Sequence, residues 1–240
     1  MITALTLAVL AQTAPITFDF HDAHDLPTQA AVMSDAKIAR EVIEKFFGEP
    51  FLAPVKIDVM PSRREMDAVF AKRWKAPKTE RWMVAAGVAD TVILLSPAAW
   101  KADADEHDAT NSGHVQRIIT HELVHSYHGQ HNKDNQLAAM DTVGWFVEGL
   151  ATFVSGQMAE EHKGKAQEAV AAGKAPTKLE TAWSGRYRYA VCGSMVAYID
   201  KAYGRKKVFE LLSKQSNSDI LSVLGKTEDG FLSDWRKSIQ

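Results

Sequence analysis

The sequence predicts an α+β fold, with a small sheet in the N-terminal half and a mostly helical C-terminal half. Three observations predict it. PVKIDVM alternates Val55, Ile57 and Val59, the period of a strand with one buried face. Two apolar runs, 82–86 and 91–96, flank Gly87-Val88-Ala89-Asp90 like a hairpin or bent strand pair, and Pro97 ends them. Beyond residue 113 nearly every stretch has helical spacing: helices are expected over about 113–128, 137–156, 159–172 and 185–203, with short ones to the end. A chain of 240 residues can bury one sizeable core, and its 46% hydrophobic and 24% charged content is that of a soluble globular protein. The loop around 173–184 could separate two subdomains, although nothing requires it.

A net charge of -2 gives no reason to expect nucleic acid or an anionic membrane as partner. The lone Cys192 excludes an internal disulfide and a thiolate cluster, so any transition metal must be held by His and carboxylate. The start, MITALTLAVLAQTAP, is apolar over 2–11 and then turns to small residues, resembling a secretory signal with cleavage after Val9-Leu10-Ala11. It lacks a basic leading segment and is too short for a membrane span, which needs ~20 apolar residues. Residues 1–14 are therefore expected to be a signal peptide of a secreted or periplasmic protein. Residues 15–33 read as a polar lead-in with solvated His21 and His24, and 34–240 as a single domain.

Within that domain Ser34 is placed as the N-cap of a helix, DAKIAREVIEKFF, with an apolar stripe of Ile38, Val42, Ile43 and Phe46, stopped by Gly48. Ser62 and Glu65 form a capping box opening a second helix that turns Met66, Val69 and Phe70 inward. KADADEHDATNSG, residues 101–113, is a polar loop, with Asn111 or Ser112 capping the next helix.

That helix, HVQRIITHELVHSYH, is anchored by Val115, Ile118, Ile119 and Leu123. On it His121 and His125 lie four apart and share a face, ~5–6 Å between Cβ atoms, which lets two imidazole nitrogens reach one ion. Glu122, offset around the helix, can take a proton from a metal-activated water without being a ligand. The third ligand is open to two candidates. His131 has the ten-residue spacing of the metzincin pattern HExxHxxGxxH, but that pattern puts glycine at 128, where this chain has His128 with Gly129 one place late. His128 and His131 then read more simply as a solvated helix end with Gly129 as C-cap. Glu148 is the only charge in the apolar stretch GWFVEGLATFVSG, where a carboxylate needs a cation or metal. On those grounds Glu148 is the better third ligand, and His, His and Glu leave a coordination position open for water.

HELVH followed by WFVEGLA resembles the gluzincin metallopeptidases, the peptidase MA-like group. Their members carry HExxH on one helix and a W-x-x-E-G-x-A type motif on the next. The resemblance implies a zincin-like fold, with 34–240 as one peptidase MA-like domain. It implies one zinc ion on His121, His125 and Glu148, and Glu122 as general base. The helix YAVCGSMVAYIDKAYG resembles the family's later helix, whose opening tyrosine, here Tyr189, donates to the tetrahedral intermediate. Tyr187 competes for that role, although Tyr189 fits the helix register better. The small sheet before HELVH also resembles the family's, so the likeness covers roughly 50–215. Two departures stand out. There is no G-A-M-E-N segment, and Thr152 stands where the thermolysin-like pattern has an acid that orients a zinc histidine, which leaves Asp141 or Asp108 for that task.

The function so implied is a zinc-dependent metallopeptidase acting on peptide or protein substrates through a metal-activated water. Strand residues 85–89 are candidates for pairing with extended substrate. Arg186 and Arg188 either meet a peptide carboxylate or form an exposed helix start. The alternatives are a non-catalytic zinc-binding scaffold of the same fold and a metzincin-like protease using His131.

Overall fold

The computed structural model describes residues 14–75, 78–111, 113–138 and 140–239, with the backbone alone at 140 and 141. The segment expected to be a signal lies outside the described residues, apart from residue 14. The fold is α+β. Strand β1 (Ile16–Phe20) leads to helix α1 (Leu26–Phe47), β2 (Val55–Met60) and α2 (Arg63–Trp74). A hairpin, β3 (Ala85–Val88) and β4 (Thr91–Leu95), and a short α3 (Trp100–Asp103) complete the N-terminal half. The remainder is helical: α4 (His114–Gln130), α5 (Met140–Val154), α6 (Gln157–Glu160), α7 (Lys165–Ala171), α8 (Arg188–Tyr203), α9 (Arg205–Leu211), α10 (Asn217–Leu224) and α11 (Glu228–Ser238). Among the described residues, no helix is long and apolar enough to cross a membrane.

The four strands run in the order β1-β2-β4-β3, with β1, β2 and β4 parallel and β3 antiparallel at the edge. TVILL is buried at every position, as an inner strand with both faces covered requires, whereas VKIDVM alternates over its first residues. The segment expected to be a polar lead-in contains β1 instead. Ile16, Phe18 and Phe20 alternate with polar residues, and Phe18 pairs with Ile57.

Helix α1 also begins earlier than expected, at Leu26 rather than after Ser34. Asp25 caps it by accepting from the Thr28 N–H, and Pro27 sits in the first turn, where its missing N–H costs nothing. Its buried stripe is Val32, Ala36, Ala39, Ile43 and Phe47, which leaves Ile38 exposed. Ala36 and Ala39 have no bulk beyond Cβ and let α1 lie close against its neighbours. The capping box at Ser62 and Glu65 forms as expected. The run 82–86 becomes strand only from Ala85, because side chains hold the preceding carbonyls. The Arg63 guanidinium donates to the carbonyls of Met83, Arg81 and Asp103.

At the far end of α4, Gly129 is inside the helix and does not cap it; the C-cap is His131. A Cβ at Gly129 would stand 2.6 Å from the Asn135 carbonyl and 3.2 Å from Ala89 Cβ. Glycine is there for close approach. The consequence is testable, because glycine to alanine in an unobstructed helix stabilises by about 1 kcal/mol. Gly129→Ala is expected to destabilise by about 1–3 kcal/mol instead, measured by urea unfolding.

Candidate metal centre

Helix α4 carries two polar rows on neighbouring faces. One is Glu122, Ser126 and Gln130, at i, i+4 and i+8, and it fastens the helix to the edge strand. The Gly87 N–H donates to the Glu122 carboxylate. Ser126 Oγ donates to the Val88 carbonyl at 2.8 Å, and Gln130 Nε2 donates to the Ala89 carbonyl at 2.9 Å. A Cβ at Gly87 would come within 2.3 Å of the Glu122 carbonyl oxygen, so only glycine lets β3 lie this close. These bonds use the Gly87 N–H and the Val88 and Ala89 carbonyls, within the stretch expected to meet substrate.

The other row is His121 and His125, rings 4.8 Å apart and 80° to one another. Helix α5 lays Glu148 against both. His121 Nε2 lies 3.2 Å from Glu148 Oε2, and His125 Nε2 lies 3.7 Å from Glu148 Oε1. Each residue offers one ligand atom to a group whose members lie within 4.8 Å of one another. Glu122 is adjacent but outside that group, as a base rather than a ligand would be.

The hydrogen bonds of this group are those that a proton or a metal ion would bridge. His121 Nδ1 lies 2.8 Å from Gln157 Oε1, an acceptor, so Nδ1 carries the ring proton. In a neutral ring the Nε2 lone pair would then point at a carboxylate oxygen. A proton or a metal ion must lie between them. Accordingly, burial disfavours charge on His121, but the bond to Glu148 and the fields of Glu122 and Glu148 outweigh it and raise its pKa. Burial pushes His125 down to about 4, so that ring stays neutral, and its Nδ1 has no partner among the described residues. Glu148, although buried, is held below the usual carboxylate range by the two histidines. Two imidazole nitrogens and a carboxylate this close could hold a metal ion.

The other histidines of HELVHSYHGQH are not part of this group, nor are they solvated as expected. His128 is buried, with Nε2–H donating to the Leu212 carbonyl at 3.1 Å and its ring edge-on to Phe146. His131 is half-buried, with its ring against Tyr127 and Phe209. A second possible group, Asp19, His21 and Asp58, already has a cation, because Lys56 Nζ sits 2.7 Å from Asp58 and 3.4 Å from Asp19.

Tyr189 lies beside the metal group, its ring 6.1 Å from that of His121, and the charges of Glu148 and Glu122 act on its hydroxyl. Burial, with those carboxylates, holds the phenol far above its ordinary range. Tyr187 instead bonds Glu168 and Arg186. Sequence reasoning missed His162, which stacks on Tyr189 with rings 5.6 Å apart and 4° from parallel. Burial lowers its pKa to about 4. The expected helix over 159–172 breaks there. Gly164, at φ 73°, caps the start of α7 and leaves His162 in a turn facing the site.

Gln157 was also missed. It takes the orienting role expected of an acid, and Ser155 Oγ steadies it at 3.1 Å. Asp108 is exposed and accepts from Thr110, away from the site. The Asp141 side chain lies outside the described residues. Thr152 donates to the Glu148 carbonyl one turn back. The turn bearing Gln157 and His162 is tied to α4 through Glu161, which meets His114 Nδ1 at 3.1 Å and Arg117 Nε at 2.7 Å. At its start, α4 has Gly113 at φ 75° as N-cap with no side-chain cap; Asn111 contributes only its carbonyl, and Ser112 lies outside the described residues. No protein-family model matches the chain, and no curated protein or solved structure is significantly similar to it.

This geometry makes two outcomes measurable. Gln157→Leu removes the acceptor that fixes the His121 tautomer, and zinc affinity is expected to fall about 10–100-fold in a competitive chelator titration. His128 has its pKa lowered to about 3, by burial first and then by the nearby charges of His125 and His131. Below its ordinary value of about 6.5 the unfolded chain takes up a proton that the folded chain refuses, so stability falls as pH falls. Between pH 7 and pH 5 that single group should cost about 2 kcal/mol. His128→Gln, which keeps a donor for Leu212, should flatten the pH dependence of urea unfolding by that amount.

Proposed function

We propose that the protein is a zinc-dependent metallopeptidase of zincin-like fold, acting on peptide or protein substrates outside the cytosol. One observation carries this reading. The His121-His125-Glu148 group could hold a metal ion, and a carboxylate stands beside it without joining it. Glu122 also meets the Gly87 N–H, but its raised pKa beside the group is what a general base needs. The resemblance of HELVH and WFVEGLA to gluzincin motifs supports the same assignment, and the apolar start of the chain supports export.

His121, His125 and Glu148 would hold the ion. Bound there, zinc would acidify a water molecule and polarise a carbonyl. Burial raises Glu122 to about 7, the Glu148 charge adds to this, and His121 and the Gly87 N–H oppose it. A carboxyl poised near neutrality can accept a proton from the attacking water and return it to the leaving amine. Tyr189 keeps its proton at neutral pH and can donate to the developing oxyanion. His162, stacked flat on that ring, limits its movement and acts as a positioning residue. A non-catalytic scaffold is the second reading, favoured by the α4 side chains that occupy backbone groups of the edge strand.

Glu122→Gln should bind zinc at full stoichiometry while kcat falls about 10²–10⁴-fold on a peptide mixture. Tyr189→Phe should lower kcat about 10²–10³-fold with little change in KM, whereas Tyr187→Phe should stay close to wild type. Zinc bound by wild type without cleavage of any peptide would favour the scaffold.

A further inference from the structure

Arg188, at the start of α8, has an unusual setting. Its guanidinium carbon lies 5.4 Å from the Trp82 ring centroid, 5.2 Å from Trp183 and 5.2 Å from Tyr189. One distant ring, Trp82, and two from its own neighbourhood, Trp183 and Tyr189, thus lie around one cation. Stacking of this kind covers the faces of a guanidinium and leaves its in-plane N–H donors for polar partners, of which the Tyr189 hydroxyl takes one. Among the described residues no carboxylate lies within 4 Å of it. The neighbouring Arg186, by contrast, is paired with Glu168 at 2.9 Å.

The charge of Arg188 is felt inside the site, where it lowers the pKa of both Glu148 and Tyr189. Glu148, however, faces His121 and His125 rather than Arg188. Once a divalent ion joins the group, its two charges cancel those of Glu148 and Glu122, and Arg188 is left uncompensated. One wall of the cage is also open, since Trp82 is 39% exposed although large and apolar. A half-buried, always-charged fork with no carboxylate partner, next to an open aromatic wall, suits a planar anion.

We infer that Arg188 and its three rings form an anion-reading subsite that selects substrates presenting a carboxylate beside the bond to be cleaved. This rests on the peptidase reading for the nature of the substrate. The carboxylate can come from the end of a peptide or from an Asp or Glu side chain, and the recognising chemistry is the same.

The test uses the full chain with one equivalent of zinc and four N-acetylated peptide mixtures of otherwise equal composition. Each has a free or amidated C-terminus, with or without Asp and Glu. Cleavage by wild type is read by mass spectrometry, and binding to Glu122→Gln by quenching of tryptophan fluorescence, to which Trp82 and Trp183 contribute. The expected result is a preference of roughly 10–100-fold for carboxylate-bearing peptides, the gain from one charge-assisted bidentate contact. Preference confined to free C-termini identifies the terminal carboxylate as the source; preference confined to Asp- and Glu-containing peptides identifies the side chain. Arg188→Met should collapse the ratio towards one, and Arg188→Lys should restore only part of it.

Equal affinity of Glu122→Gln for all four mixtures overturns the inference, whether or not the Arg188 variants fold. So does an unchanged preference in a folded Arg188→Met. Absence of cleavage in every mixture would overturn the peptidase reading alone, and the binding arm would still decide the subsite.

Discussion

A carboxylate taken out of water must meet a cation or several donors, and two of them, Glu122 and Glu148, lie at the contact between α4, α5 and the edge strand. Each meets that demand differently. Glu148 faces two imidazoles and sits in a group that calls for a metal or a proton. Glu122 takes one backbone N–H from Gly87 and otherwise keeps a raised pKa. The same desolvation therefore leaves one carboxylate facing two imidazoles and the other with a raised pKa. The positions of α4 and β3 follow, because the Glu122-Ser126-Gln130 row must find backbone partners on 87–89.

Around this centre the chain supplies supports that are themselves polar and half-buried. Gln157 sets the His121 tautomer, Glu161 anchors the turn that carries Gln157 and His162, and Arg63 gathers the carbonyls that precede β3. Each support joins segments far apart in sequence.

The motifs were readable where local rules determine them. HELVH shows its ligands by helical spacing, WFVEGLA shows Glu148 by isolation of one charge in an apolar run, and Ser62-x-x-Glu65 shows its cap directly. The α+β division was readable from a change of period. Misplaced features are those decided by partners distant in the chain. β1 looked polar because only one face of ITFDF is apolar and its partner is β2. The α1 stripe shifted because two alanines, weak as hydrophobic signals, pack closest. His128 and His131 looked solvated because four histidines in eleven residues resemble a polar surface, whereas Phe146, Tyr127 and Phe209 enclose them. Gln157 and His162 could have been suspected from the glycines at 156 and 164, which break the helical run beside the site. The aromatic cage of Arg188 has no local signal, since Trp82 and Trp183 are a hundred residues apart.

The most direct test of the central claim is X-ray absorption at the zinc edge of the full chain loaded with one equivalent of zinc. The account predicts a first shell of two imidazole nitrogens with only oxygen besides, unchanged in His131→Ala and losing an oxygen in Glu148→Ala. Three imidazoles in wild type, one of them lost in His131→Ala, would contradict it.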